Sequence, residues 1–268
     1  MGLLQSKNAL IFGVANANSI AWGITEAFHR EGANIALSYA MEKLKRRVQP
    51  LAEATGAQFM EECDVNNDAA LDALFAKYAA EYGKIDVLVH AVAFAGKDDL
   101  EGEFINTSRE GWNTALMTSA YSLVALARRA APLMPDGGTI LTLTYYGSEK
   151  VMPHYNVMGV AKAALEASVR YLAYDLGRKN IRVNAISPGP IKTLSAAGIP
   201  GFRDMLRFSE LASPLQKLVT PEDVGHMAVF LASEGGKLIT GQTMYIDAGY
   251  SVMGLPLGVL NANEGAKE

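Results

Sequence analysis

The sequence has little cysteine, little net charge and no long hydrophobic stretch. Its 268 residues include one cysteine, Cys63, which excludes an intramolecular disulfide framework and a cysteine-based zinc site. Lys and Arg number 24 against 28 Asp and Glu, so no global positive field attracts nucleic acid or an anionic membrane. No apolar run approaches the roughly 20 residues of a membrane helix, and the N-terminal residues do not read as a signal peptide. We therefore expect a soluble, cytoplasmic protein with neither a nucleic-acid nor a membrane partner.

Histidine is also sparse, and its positions argue against a metal centre. The four histidines are far apart in the chain, and none has a carboxylate or a second histidine at ligand spacing. We expect no metal site.

What the sequence does have is a regular alternation of short apolar runs and longer segments with helical spacing. The predicted strands are residues 9–12, 34–39, 58–63, 85–91, 139–144, 181–186 and 243–247. The predicted helices are residues 20–30, 42–55, 68–82, 112–131, 156–177 and 221–233. Continuous apolar runs are typical of strands buried on both faces, and strand–helix alternation predicts parallel strands with right-handed crossovers.

These elements predict an α/β protein, a single Rossmann-like domain over residues 1–268. We expect a doubly wound parallel sheet of about seven strands with helices on both faces. The segment 191–219 interrupts the alternation with short helical pieces. Long irregular segments in such domains are usually functional, so we interpret it as a short helical substrate-binding lid; a plain surface insertion is the alternative.

The turn after the first strand has features of a dinucleotide site. Gly13 permits a close backbone approach, and Ser19, a candidate N-cap, offers a hydroxyl and an amide at a helix N-terminus, where a pyrophosphate binds. We expect Gly23 to let this helix sit tightly on the sheet. The loop is longer than GxGxxG, so alone it favours a nucleotide site no more than a structural glycine turn.

Other strand ends support the nucleotide interpretation, because ligands of open α/β sheets bind outside the carboxyl ends of the strands. Asp64 follows the third strand and can accept a hydrogen bond from an adenine amino group; the alternative is that it caps the helix beginning near Asn67. At the end of the second strand, Ala40 offers no acid to hold the ribose 2′-hydroxyl.

A tyrosine and a lysine seven residues apart follow the fifth strand. On one helix, Tyr155 and Lys162 would lie within about 20° of a common face and about 10 Å apart along the axis. That separation suits one ribose. The ammonium can bind ribose hydroxyls and favour a polarised or ionised phenol, which can then donate to a substrate oxygen that gains negative charge.

Together these motifs resemble those of the short-chain dehydrogenase/reductases, and within them the bacterial enoyl-[acyl-carrier-protein] reductases, over roughly residues 2–255. The resemblance rests on the Gly13 loop with Ser19-Ile20-Ala21, on Cys63-Asp64-Val65, on Tyr145 and on the run from Tyr155 to Lys162. It extends to the segments 182–187 and 189–193. Most members of the superfamily have the tyrosine and lysine four apart, whereas this chain has Gly159 four residues after Tyr155.

The resemblance implies NADH-dependent reduction of the trans-2 double bond of enoyl thioesters, the last step of the fatty-acid elongation cycle. It implies hydride transfer to the β-carbon, an enolate stabilised by Tyr155, a ribose held by Lys162 and a second tyrosine, Tyr145, near the thioester. The implied cofactor contacts are Gly13, Ser19, Ile20, Ala40, Asp64, Val65, Val92, Lys162, Ile191 and Thr193. The implied substrate contacts are Ala95, Tyr145, Tyr155, Met158, Ile199, Phe202 and Met205.

The same resemblance implies partners: acyl carrier protein bearing the substrate, and three further copies of the chain in a homotetramer. Basic residues near the lid are candidates for carrier-protein docking, with ordinary solvated side chains as the alternative: Lys192, Arg203 and Arg207. Ala40 stands where NADH-using members commonly carry glutamine, so NADH over NADPH is a weak preference. Ala93 replaces a usual glycine and narrows the space beside the nicotinamide.

Two other functions remain open from the sequence. A 3-ketoacyl or other carbonyl reductase of the same superfamily would use Tyr155 to protonate a carbonyl oxygen, but the seven-residue spacing and Tyr145 argue against it. A catalytically silent nucleotide-sensing domain would have no need of both Tyr155 and Lys162.

Overall fold

The computed structural model describes residues 2–193 and 201–255. Its strands are β1 Asn8–Phe12, β2 Asn34–Tyr39, β3 Phe59–Glu62, β4 Val87–His90, β5 Gly138–Leu143, β6 Ile181–Pro188 and β7 Thr243–Ile246. Its α-helices are α1 Ile20–Arg30, α2 Lys45–Ala54, α3 Asp68–Tyr82, α4 Arg109–Leu116, α5 Ser122–Ala130, α6 Val157–Gly177, α7 Phe202–Ala212 and α8 Pro221–Ala232. Each predicted strand is found, with ends shifted by at most two residues.

The strands form one parallel seven-stranded sheet in the order β3-β2-β1-β4-β5-β6-β7. The prediction of a doubly wound sheet of about seven strands is therefore confirmed. Chain order reverses between β1 and β4, and such a switch point opens a crevice at the carboxyl ends of the strands. The carboxyl edge of the sheet is thus where a ligand site is expected.

Apolar side chains cover both faces of the sheet, as the continuous hydrophobic runs predicted. Along β1, Leu10 and Phe12 face one core while Ile11 faces the other, because side chains alternate between faces of a strand. Helices α3, α5 and α6 cover the first face, and α1, α2 and α8 cover the second.

The predicted helix over residues 112–131 differs most from the structure. It begins at Arg109, capped by the Ser108 side chain, and is interrupted by a π-helical turn, Met117–Tyr121, between α4 and α5. The predicted helix over residues 42–55 begins with a 3₁₀ turn, Glu42–Leu44, before α2. A π turn inserts one residue into an otherwise continuous helix, so apolar periodicity alone does not reveal it.

Part of the predicted lid lies within the described residues. Helix α7 follows Gly201 and occupies residues 202–212, while residues 194–200, which include the predicted substrate contact Ile199, lie outside the described residues. Among the described residues, no helix is long and apolar enough to cross a membrane.

Candidate active site

The turn after β1 is built so that only glycine fits at position 13. The φ of Gly13 is 102°, and a Cβ there would lie 2.1 Å from the carbonyl oxygen of Ala91. Ser19 caps α1 as predicted, since its hydroxyl accepts from the amide of Trp22, and Ile20 is the first helical residue. A helix N-terminus therefore follows β1 at the switch point, which suits a pyrophosphate.

The close approach predicted for Gly23 is real, but its partner is different. A Cβ on Gly23 would lie 2.3 Å from the carbonyl oxygen of Pro221 at the start of α8, so this glycine brings α1 against α8 rather than against the sheet. Sequence periodicity assigns a residue to a helix face and does not identify the neighbouring element.

The remaining predicted cofactor residues follow four strands, β2, β3, β4 and β6, at the same edge. Ala40 and Asp64 are exposed after β2 and β3, and Val65 is buried. Three others are buried or half-buried after β4 and β6: Val92, Ile191 and Thr193. The structure therefore brings the predicted set to one edge of the sheet.

The alternative role for Asp64, capping α3, is wrong. Asn67 caps that helix, with its side-chain oxygen accepting from the amide of Ala70. Asp64 instead accepts from the backbone and side-chain amides of Asn66 and stays exposed beyond β3.

Tyr145 and Tyr155 meet edge to face, with ring centroids 5.0 Å apart. Helix α6 begins only at Val157, so Tyr155 precedes it and the prediction that both Tyr155 and Lys162 lie on one helix is wrong. Residues 154 and 156 on either side have φ values of 63° and 39°, in the left-handed region. This turn, rather than helical periodicity, sets the direction of the Tyr155 side chain.

Two glycines make room for the tyrosine pair. A Cβ on Gly147 would lie 2.6 Å from the Tyr155 ring, and one on Gly159 would lie 2.8 Å from the carbonyl oxygen of Gly147. Position 159 is where most short-chain dehydrogenases place their lysine. Here that position packs on the backbone beneath Tyr155, and the lysine comes three residues later.

Lys162 is buried, and its Nζ donates to the carbonyl oxygen of Leu143 at 2.7 Å. Burial lowers the pKa of the ammonium to about 8, while the nearby Glu166 carboxylate opposes the shift. An ammonium has three donors, and the bond to Leu143 uses one of them. Lys162 therefore fits the hydroxyl pair of a ribose.

Burial favours the protonated form of both phenols. Burial raises the pKa of Tyr145 to about 12 and raises that of Tyr155 further. The sequence interpretation allowed a polarised or an ionised phenol, and the buried setting of Tyr155 favours the protonated one. A protonated phenol is a hydrogen-bond donor, which is what a developing oxyanion requires.

An apolar surface adjoins the tyrosine pair. Ala95, Met158 and Tyr155 pack in one cluster with Ala93, and the Tyr145 hydroxyl lies 3.6 Å from the sulfur of Met205 on α7. Phe202 is half-buried at the first position of the same helix. The predicted substrate residues within the described chain thus lie on the cluster beside the tyrosines or on α7 next to Tyr145.

Sequence reasoning missed three buried polar residues beside this site. The His90 ring forms hydrogen bonds with the hydroxyls of Thr142 and Ser122. The hydroxyl of Ser119, in the π turn, forms hydrogen bonds with the backbone amide and the carbonyl oxygen of Phe94. Glu166 accepts two hydroxyl hydrogen bonds. Only Glu166, one helical turn after Lys162, had a signal in the sequence, namely an acid four residues after the lysine.

Comparisons with known proteins agree with the fold and with the family that the sequence resembles. Residues 13–251 match the family model described as enoyl-(acyl carrier protein) reductase. The enoyl-[acyl-carrier-protein] reductase [NADH] 1 of Rhizobium meliloti is 53% identical over 254 residues, covering 95% of this chain and 93% of that protein.

Solved structures agree as well. The reductase of Anaplasma phagocytophilum in complex with NAD has a TM-score of 0.92 and 49% identity, covering 95% of this chain and 97% of that one. The Bacillus cereus enoyl-acyl carrier protein reductase, solved with NADP+ and indole naphthyridinone, has a TM-score of 0.93 and 50% identity, covering 95% and 100%. On this evidence the chain belongs to the enoyl-(acyl carrier protein) reductase family.

Proposed function

We propose that this protein reduces the trans-2 double bond of enoyl thioesters carried by acyl carrier protein, with NADH as the reductant. The observation that carries the proposal is the Tyr145–Tyr155 pair set over Gly147 at the carboxyl edge of a doubly wound sheet, in the segment after Leu143, whose carbonyl oxygen accepts from the buried Lys162. NADH, when bound, supplies a hydride to the β-carbon of the substrate.

The chain's residues fit such a cofactor. The bare backbone at Gly13 and the α1 N-terminus capped by Ser19 suit the pyrophosphate, and the exposed Asp64 carboxylate suits an adenine amino group. Lys162 retains donors for the nicotinamide ribose. Ile20, Ala40, Val65, Val92, Ile191 and Thr193 complete the proposed contacts.

In the reaction we assign Tyr155 the stabilisation of the enolate. As negative charge builds on the thioester oxygen, the protonated phenol donates a hydrogen bond to it. Lys162 contributes a positive charge near the ribose and the phenol, and Tyr145 packs edge to face against Tyr155 and borders the thioester. Met158, Phe202 and Met205 supply the apolar surface for the acyl chain, with Ala95 near the thioester.

Replacing Tyr155 by Phe tests this assignment. We expect NADH oxidation with a trans-2-enoyl thioester, followed by absorbance, to fall about 100-fold or more, because the oxyanion loses its donor. Tyr146→Phe is the matched control. It removes a phenol hydroxyl next to Tyr145 that donates to the Ser251 carbonyl, and we expect the activity of this variant to stay close to that of the wild type.

The same assay discriminates between the candidate functions. A 3-ketoacyl thioester is measured in parallel, and each substrate is offered with NADH and with NADPH. Turnover of the ketoacyl thioester alone would make the protein a carbonyl reductase of the same superfamily. Binding of a nicotinamide nucleotide without turnover of either substrate would make it a nucleotide sensor. We expect turnover of the enoyl substrate, faster with NADH, as for the relatives named for that cofactor.

We further propose that the chain acts as a single domain over residues 1–268, in the cytoplasm and as a homotetramer. A lone, buried Cys63 fits a reducing compartment. For carrier-protein docking we propose three exposed cations on or before α7: Lys192, Arg203 and Arg207.

A further inference from the structure

Glu166 is a buried carboxylate that the expected site does not include. It lies on α6, one helical turn after Lys162, and 7% of its surface is exposed. A buried carboxylate without partners is strongly disfavoured, so its contacts indicate what keeps it there.

Two hydroxyl groups donate to the same oxygen of Glu166. The Oγ1 of Thr144 and the Oγ of Ser148 each lie 2.6 Å from Oε1. The two hydroxyl donors give this buried carboxylate oxygen the hydrogen bonds that burial would otherwise deny it. Thr144 stands where many short-chain dehydrogenases place a catalytic serine, and in this chain its hydroxyl bonds Glu166.

These two hydroxyls bracket the segment that carries the tyrosine pair. Tyr145 and Gly147 lie between Thr144 and Ser148, and the backbone of Gly147 supports the Tyr155 ring. One carboxylate oxygen therefore joins both ends of this segment to α6, the helix that also carries Lys162.

Glu166 also raises the pKa of Lys162 through the charge of its carboxylate. The ammonium is buried and donates to the Leu143 carbonyl; burial lowers its pKa, and the Glu166 carboxylate one turn away opposes that shift. The other titratable groups around the pair are His90 on β4, which burial and Lys162 keep neutral, the two buried phenols, and Tyr245 of β7, which donates to Glu149. Unlike these groups, Glu166 is a carboxylate on the same helix as Lys162.

We propose that Glu166 is a positioning residue for the reductase site, which holds the 144–148 segment against α6 and places a carboxylate one helical turn from the buried Lys162. It acts through Lys162 and the tyrosine segment without touching the substrate. This proposal rests on the proposed function. The predicted effect of Glu166 on Lys162 can nevertheless be measured in the protein without cofactor or substrate, so that part of the test does not depend on which reaction the protein catalyses.

The first test is a pH titration of Lys162 in wild type and in Glu166→Gln, both free of cofactor. NMR of lysines labelled at Cε monitors the titration, and the Lys162 signal is assigned as the one that disappears in Lys162→Met. We expect the midpoint of Lys162 to move to lower pH, because the neutral amide no longer offsets burial. Affinity for NADH, measured by fluorescence, should weaken about threefold or more at pH 8 and change less at pH 6.5.

Asp175→Asn is the matched control, because it removes an exposed carboxylate from the same helix. We expect the Lys162 midpoint, NADH affinity and activity of this variant to equal those of the wild type. A Lys162 midpoint in Glu166→Gln equal to that of wild type and control would overturn the proposal, whatever the enzyme reduces.

Ser148→Ala tests positioning separately, since it keeps both charges and removes one of the two donors. We expect the Lys162 midpoint to stay near that of the wild type while kcat for the enoyl thioester falls severalfold. Unchanged turnover would overturn the positioning role, and this variant carries that test even if Glu166→Gln does not fold. Glu166→Asp should return the Lys162 midpoint toward that of the wild type.

Discussion

His90 shows how a single buried residue links three elements beside the site. The Ser122 hydroxyl donates its one proton to the carbonyl oxygen of Thr118, so it accepts from Nε2–H of His90; Nδ1 therefore accepts from the Thr142 hydroxyl. The ring is neutral, and burial lowers its pKa to about 3. Through these two hydrogen bonds, the neutral imidazole connects β4 to β5 and to α5, next to the π turn.

This neutral state predicts a loss of stability in acid. In the unfolded chain His90 titrates near 6.5, whereas in the folded protein it stays neutral down to about pH 3. The unfolded state thus binds the extra proton, so the contribution of His90 is complete above pH 6.5 and declines as the pH falls below it. Between pH 7 and pH 5 we expect a loss of about 2 kcal/mol from this group.

Urea unfolding of wild type and His90→Gln at the two pH values measures that contribution. The variant should be less stable than wild type at pH 7 but lose about 2 kcal/mol less on acidification. His29→Gln on α1, which removes a histidine outside this network, is the control and should retain the wild-type pH dependence. Equal slopes for wild type and His90→Gln would contradict the assignment of a buried neutral ring.

At the scale of elements, two irregular features serve the site. The π turn 117–121 places Ser119 so that its hydroxyl accepts from the amide of Phe94 and lies 3.7 Å from the sulfur of Met158. The segment after β4, which contains Ala95, is thereby joined to α6, which carries Met158. On the other face, glycines let α1 and α8 approach closely, and α1 carries the capped N-terminus assigned to the cofactor.

The helix contact predicts a large effect from one added methyl group. A Cβ on Gly225 of α8 would lie 2.5 Å from the carbonyl oxygen of Gly23 and 2.8 Å from the Cβ of Ala27. We expect Gly225→Ala to lower the free energy of unfolding by about 2 kcal/mol, because the two helices must separate.

Gly177→Ala is the matched helical control, since a Cβ at the end of α6 would meet no atom of the described residues within 4 Å outside its own stretch of helix. It should leave stability unchanged or raise it by up to about 1 kcal/mol through helix propensity. Denaturant unfolding of both variants gives the comparison, and equal stabilities would show that α1 and α8 yield to the methyl group without cost.

At the scale of the whole molecule, apolar surface remains exposed on neighbouring elements. Tyr171 and Tyr174, three residues apart on α6, are 76% and 78% exposed, and Met117 and Tyr121 of the adjoining π turn are 47% and 41% exposed. Aromatic side chains and methionine are enriched in subunit interfaces. This surface supports the proposed assembly of copies of the chain.

Charge placed on that surface should disrupt the assembly. We expect sedimentation to give four times the mass of one chain for wild type and a smaller species for Tyr171→Glu combined with Tyr174→Glu, because buried carboxylates would oppose association. Gln58→Glu, an exposed position after α2, should remain tetrameric. A wild-type protein that sediments as a monomer would refute the tetramer.

The sequence alone determined the sheet, the cap of α1 and the position of the candidate tyrosines and lysine after the fifth strand. These features depend on local patterns: apolar runs, Ser19 before a helix, and residues that follow strands. The helical spacing of four apolar or aromatic residues likewise accounts for the buried side of α3: Leu71, Leu74, Phe75 and Tyr78.

Tertiary structure decided how those residues meet. The turn before α6 directs Tyr155, Gly159 packs on the Gly147 backbone, Gly23 faces α8, and Glu166 receives hydroxyls from a segment about 20 residues earlier in the chain. Each is a contact between residues distant in sequence or a backbone angle outside the helical and extended regions. Periodicity carries no information about either, because it records only which face of its own element a residue occupies.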